Sequence, residues 1–281
     1  GSAFKGKFNG GGHTISNFNL TAAVGKDAAV GFFGMLEGAT VKDLTINGKM
    51  SISATGAGSA GMLAGAMIST TVENVKVNAD VEFKGTITSD RFATGGVVGF
   101  TYGTGDANSL IKDCVMTGNV NAVSGDGNTA NGATAAVYGG ITGFSTTPAE
   151  SANVIANCEN NGKITASLGR CSGIVATAHA GTTISGCVNN ADQVNTFGDG
   201  RIGNIVSVIG TKGCIEDCIN NGNLTTTTAK TTTGAIAALL NESHVVIKGG
   251  RNNGTIIGGN TSTIGLIAAN FSKFSSVSGF T

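Results

Sequence analysis

Residues 153–164, NVIANCENNGKI, recur with small changes as 182–193, TTISGCVNNADQ, as 213–224, GCIEDCINNGNL, and as 245–256, VVIKGGRNNGTI. The shared kernel is a tetrad, apolar-x-x-(Cys or apolar), followed three residues later by asparagine. Tracked outward, the tetrad ends at Leu44, Val75, Cys114, Cys158, Cys187, Cys218 and, weakened, Gly250, with partial copies ending at Phe18 and Phe280. The spacings between the seven central copies are 31, 39, 44, 29, 31 and 32 residues. A glycine ladder keeps step with them at Gly31, Gly61, Gly96, Gly140, Gly173, Gly203, Gly234 and Gly265, each opening a run of small and apolar residues. The asparagines form a third ladder at Asn47, Asn78, Asn161, Asn190, Asn221 and Asn253, with Thr117 as the exception. One unit is three short apolar runs separated by turns. Runs of four to six residues rich in Val, Ile and Thr, bounded by Gly, Asn and Asp, are strands. A fixed period of this size means a repeat architecture. Three short strands per unit of roughly 30 residues predict an all-β, single-stranded right-handed parallel β-helix of about nine coils, stacked at about 4.8 Å into a rod on the order of 40 Å long. A propeller blade would need about 40 residues and four antiparallel strands.

The composition fits this reading. Of 281 residues, 46 are glycine and one is proline, and no glycine recurs at every third position as collagen requires. Asn-Gly and Asn-Ala pairs tolerate positive φ and are expected to turn the corners. A second asparagine row, Asn160, Asn189, Asn220 and Asn252, replaces Ile46, Val77 and Met116 of earlier units. Alternation points it inward, so its amides should satisfy one another. Seventeen basic residues balance seventeen acidic ones, which gives no electrostatic reason to seek nucleic acid or an anionic membrane. The 40% apolar content argues against disorder.

The four tetrad cysteines should stack as small buried groups, with neighbours too far apart in parallel orientation for disulfides. Cys214 and Cys218 have no histidine nearby, and His13, His179 and His244 lie in different coils, so no metal site and no cofactor is expected. No run of 18 apolar residues exists to insert in a membrane. The chain opens Gly-Ser-Ala-Phe and stops within a ninth unit, so a single β-helix domain, 1–281, belonging to a larger protein is expected. The long spacings place insertions near 103–109, 124–131 and 146–151, where loops leave the rod and binding tends to be placed.

The opening FKGKFNGGGHTISNFNL, then GFFGMLEGATVKDLTING, and later GGVVGFTYG with SLIKDCVMTGNV resemble the GLUG-motif β-helix regions of bacterial cell-surface proteins. The resemblance covers nearly the whole chain. It implies a secreted or surface-anchored bacterial protein and says little about activity, because its residues are turn and core positions. GIVA and GNIV replace the usual Gly-Leu-x-Gly in two units, which loosens the small-residue ladder.

Glycan lyases and hydrolases also use β-helices, and they need paired carboxylates or a calcium site with a basic residue. The candidates are Asp192 and Asp199 with Arg201 near one corner, although ordinary turn polarity explains them as well. Lys42, Glu73 and Lys112 read as a solvated row of alternating charge. Thr225–Thr228 and Thr231–Thr233 are not matched in neighbouring coils, as an ice- or mineral-binding face would require, and read as solvent-face β formers. Aromatics for stacking on sugar rings are Tyr102, Tyr138 and Phe144, near the insertions. The expectation is a non-enzymatic structural or adhesion module at the cell surface or outside the cell, with a host or bacterial surface protein or glycan as partner. The alternative is a polysaccharide lyase or hydrolase.

Overall fold

The computed structural model describes residues 2–87, 91–105, 107–124, 136–148, 152–167, 169–196, 200–227, 231–241, 243–259, 262–271 and 274–281. The chain is a β-solenoid of about eight turns of roughly 31 residues. Among the described residues there is no helix, and every strand pairing is parallel. Three sheets run the length of the stack. A wide sheet of 20 strands carries the tetrads. A leading sheet, from Ala28–Val30 to Thr263–Gly265, and a trailing sheet, from Phe33–Glu37 to Ala268–Asn270, have eight strands each in chain order. The partial tetrads at both ends also pair into the wide sheet. Nine tetrads therefore bound eight complete turns.

The first residue of the tetrad builds a spine: Val41, Val72, Ile111, Ile155, Ile184, Ile215, Ile247 and Val277 are partners in register across successive coils, and Phe8, which precedes the first partial tetrad, caps the row on Val41. Those from Val41 to Ile247 are essentially fully buried, and each contributes about 1.5–3 kcal/mol of burial. Branched side chains suit this pleated, crowded surface.

The corners differ from the expected ones. The ladder asparagines Asn47, Asn78, Asn161, Asn190, Asn221 and Asn253 keep ordinary negative φ. The left-handed residue is instead the third of each tetrad: Asn17, Asp43, Asn74, Asp113, Asn157, Gly186, Asp217, Gly249 and Gly279, with φ between 51° and 64°. Asn, Asp and Gly are the residues that tolerate this region. Their side chains also stack, with Asn74 Nδ2 donating to Asp43 Oδ1 at 2.8 Å and Asn157 Nδ2 to Asp113 Oδ1 at 3.3 Å. The Asn74 bond, with Lys42 alongside, holds the Asp43 carboxyl below its ordinary range. The ladder asparagines serve as an external zipper, Nδ2 to Oδ1, from Asn78 to Asn47 at 2.9 Å and from Asn253 through Asn221 and Asn190 to Asn161 at 2.7, 2.7 and 2.9 Å.

The glycine run is also two strands rather than one. The leading strand reaches this glycine-rich corner, the chain turns, and the trailing strand begins in another sheet. At Gly140 a Cβ would collide with the carbonyl of Gly173 in the next coil, and at Gly31 with that of Gly61. The corner is tight enough that backbone of one coil lies where a side chain would stand.

Inside, Asn160, Asn189 and Asn220 are wholly buried. Each Nδ2 donates to Oδ1 of the next, 160 to 189 at 2.8 Å, 189 to 220 at 2.9 Å and 220 to 252 at 2.7 Å, and also to a carbonyl two residues on. The inward amide row is therefore satisfied as expected. Part of the threonine run does not face solvent: Thr226, Thr231 and Thr233 are buried, and Thr231 Oγ1 donates to Thr226 Oγ1 at 3.2 Å. The reason is alternation in short strands next to a corner, which turns every second hydroxyl inward.

All six cysteines are free, and only Cys214 is not buried. Each tetrad thiol bridges its left-handed corner, from Cys114 Sγ to Lys112 O at 3.3 Å, Cys158 to Ala156 O at 3.3 Å, Cys187 to Ser185 O at 3.4 Å and Cys218 to Glu216 O at 3.5 Å. Burial pushes the Cys158 thiol up and Cys171 up to about 12, while burial and then Glu216 raise Cys214. Thiolate is the reactive form. At pH 8 DTNB should label at most Cys214 in the native protein, and slowly, whereas the denatured chain should release six equivalents. Rapid native labelling of more than one thiol would contradict this packing.

Candidate functional site

The leading and trailing sheets meet at the glycine corner, and their outer faces enclose a groove of about 410 Å³. One wall is Ala29, Ser59 and Ala93 of the leading sheet, in register from coil to coil, and the same column continues past the groove through Val137 to Arg170. The other is Met35, Ala66, Phe100 and Phe144 of the trailing sheet, whose column continues to Thr177. Alanine, serine and Gly58 keep the groove open over the first coils. From the fourth coil the walls touch, and Ala93, Val137, Phe144 and Ala176 form a small apolar cluster separate from the main core.

An aromatic row lies along this groove. Phe100 stacks on Tyr102 (centroids 6.3 Å apart, planes 12°) and on Phe144 (5.5 Å, 8°), and Phe144 meets the His179 ring edge-on at 4.9 Å. The Arg91 guanidinium sits 4.1 Å from the Phe144 ring centroid, a cation–π contact. Farther along, Arg170 is buried on the leading sheet with 5% of its surface exposed, and Arg201 begins the strand paired with that of Arg170. The Arg170 pKa is pushed down to about 10 by burial and then by Arg201 and Arg91, and burial also lowers that of Arg91. Guanidinium remains charged at neutral pH at such values. Among the described residues, no carboxylate lies within ion-pair distance of these three arginines, and the Nε atoms of Arg91 and Arg170 lack a hydrogen-bond partner. Asp27 lines the same groove two coils away from Arg91.

Of the three aromatics singled out in the sequence, the structure brings Tyr102 and Phe144 into one row. Tyr138 is withdrawn from the surface. It is wholly buried, 5.3 Å from Phe83, and burial raises its phenol pKa well above the usual value. The physical reason is its register with Thr94 and Cys171, an inward column of the leading sheet. Asp192 and Arg201 are not assembled as a site. Asp192 is exposed at a turn of the wide sheet, where its Oδ1 accepts the Asn223 amide of the next coil at 2.8 Å, while Arg201 belongs to the leading sheet. Asp199 lies outside the described residues, as do most of 124–131 and the end of 146–151. The insertion at 103–109 is tied down where it is described: Thr104 N–H donates to Ala107 O at 2.9 Å, and Ser109 Oγ to Tyr102 O at 2.7 Å. The charged row is in register, with Lys112 Nζ 3.0 Å from Glu73 Oε1, but Lys42 pairs with Asp43 at 3.3 Å.

Sequence reasoning missed Phe100, Arg91 and Arg170. The signal for Phe100 was its place after the glycine, equivalent to Phe144. For Arg170 it was a long cation one residue before an inward cysteine, hence on the outer face. Comparison of the chain with protein-family models, with curated proteins and with solved structures finds no match.

Proposed function

We propose that this β-solenoid is a non-catalytic binding module of a GLUG-type bacterial surface or secreted protein, and that it holds a glycan in the groove between the leading and trailing sheets. The observation that carries the reading is the pair Phe100 and Tyr102, two half-buried, near-parallel rings on one strand, backed by the buried Phe144 of the next rung. Sugar rings offer C–H faces that pack on aromatic faces, and stacked rungs fix the spacing without loop ordering. Asp192, the described carboxylate of the alternative lyase or hydrolase reading, is used to hold a backbone amide of the neighbouring coil.

A glycan array probed with the whole chain, followed by calorimetry on the hits, tests this. Phe100→Ala removes the central, half-buried ring and should weaken binding roughly tenfold, the order expected for one aromatic contact of about 1–1.5 kcal/mol. Turnover of a bound polysaccharide that is lost on Asp192→Ala would overturn the non-catalytic reading, and undiminished binding by Phe100→Ala would remove the glycan from this groove.

A further inference from the structure

The arginines make the groove chemically asymmetric. A buried charge without a partner is costly, far more so than a paired one, and Arg170, 5% exposed and with its Nε buried and unpartnered, approaches that case among the described residues. It stands on the leading sheet next to Val137, one coil past the point where the two walls touch. Arg91 and Arg201 are half-buried at its sides, and both lie near enough to disfavour its charge. Three like charges brought together at the end of a groove weaken the free fold. The same arrangement becomes favourable once an anion enters, because guanidinium forks offer planar, paired N–H donors to a carboxylate or sulfate. Arg91 lines the groove and rests on Phe144, so one of the three cations adjoins the aromatic row. We infer that Arg91, Arg170 and Arg201 form an anion subsite just past the closed end of the groove, which takes the carboxylate or sulfate substituent of an acidic sugar whose ring rests on Phe100 and Tyr102. The sugar part of this inference rests on the glycan-binding reading above; the anion part does not.

The two roles of Arg170 separate experimentally. If it served the fold, its loss would destabilise the protein. As an unpaired buried cation kept for a ligand, its replacement by an apolar isostere should leave the free protein equally stable or more so. Calorimetry on the whole chain would compare trigalacturonate with its methyl ester, sulfated lactose with lactose, and sodium sulfate alone. We expect at least one acidic sugar to bind roughly 30-fold or more tightly than its neutral form, the order of loss when a buried charge partner is removed. Arg170→Met should erase that preference without lowering the thermal midpoint, and Arg201→Gln, a half-buried position, should reduce it. Equal binding of acid and ester, unchanged in Arg170→Met but weakened in Phe100→Ala, would overturn the anion subsite and leave the glycan reading standing. Sulfate binding lost in Arg170→Met, with no sugar bound, would support the subsite and remove the glycan. A lowered midpoint in Arg170→Met with intact discrimination would make Arg170 structural and overturn the inference.

Discussion

Gly140→Val should leave little or no native solenoid around the fourth and fifth coils. A Cβ at this position points at the Gly173 carbonyl and the Asn160 amide, and neither can retreat. The carbonyl belongs to the next coil's corner, and the amide belongs to the buried row. Overpacking of a well-filled interior costs about 1–3 kcal/mol even where side chains can shift; here the obstacle is backbone, so a loss of about 3 kcal/mol or more is expected. In a solenoid each coil leans mainly on its neighbours, so the defect should first show as local opening. Hydrogen exchange and limited proteolysis would then locate it between residues 136 and 178. Gly25→Ala is the control, because a Cβ there meets nothing within 4 Å. Equal melting of the two variants would refute the tight-corner account.

Asn189→Asp should be the most damaging isosteric change in the interior. Asn189 Oδ1 accepts from Asn160, and its Nδ2 donates to Asn220 Oδ1 and to Ala191 O. A carboxylate keeps the first bond but sets oxygen against oxygen at the other two, in a site with no exposed surface. An uncompensated buried charge of this kind costs about 3–5 kcal/mol. The sign with pH is determined. The folded-state pKa of the new carboxyl must lie above its unfolded value of about 3.9, so the variant's deficit is smallest below that pH and grows as pH rises toward the folded pKa. Denaturant unfolding of both proteins at pH 4 and pH 7 would check this; a deficit independent of pH would mean that the aspartate escapes to water.

The period of the fold was readable because each rung repeats the same constraints. A branched residue at Ile155 or Ile184 and a small left-handed residue two positions later recur whatever else changes. The position of the left-handed corner was not readable from Asn-Gly pairs, since Asn161 and Gly162 look like a turn but lie in a stretch held by stacking amides. The groove was less legible still. It depends on how the outer faces of two sheets meet across the glycine corner, and that angle is set by backbone contacts such as Gly140 against Gly173. Tyr138 and Phe144 stand six residues apart near the same corner, yet one is inward and the other outward. Arg170 carried no motif at all; its meaning comes from Arg91 and Arg201, 79 residues behind and 31 residues ahead in the chain.

The parallel ladders also determine how the molecule carries load. Backbone hydrogen bonds between strands run across them, which in this stack is along the rod. Tension applied between the two chain ends therefore passes through every rung alike, but it peels the end coil one hydrogen bond at a time while inner coils share the load over a whole ladder, so the end coil gives way first. Each coil released supplies roughly 31 residues, or about 100 Å of slack chain at about 3.4 Å per residue, in place of a rise of about 4.8 Å. A tether built from such coils lengthens in large discrete steps and limits the force that reaches whatever it holds.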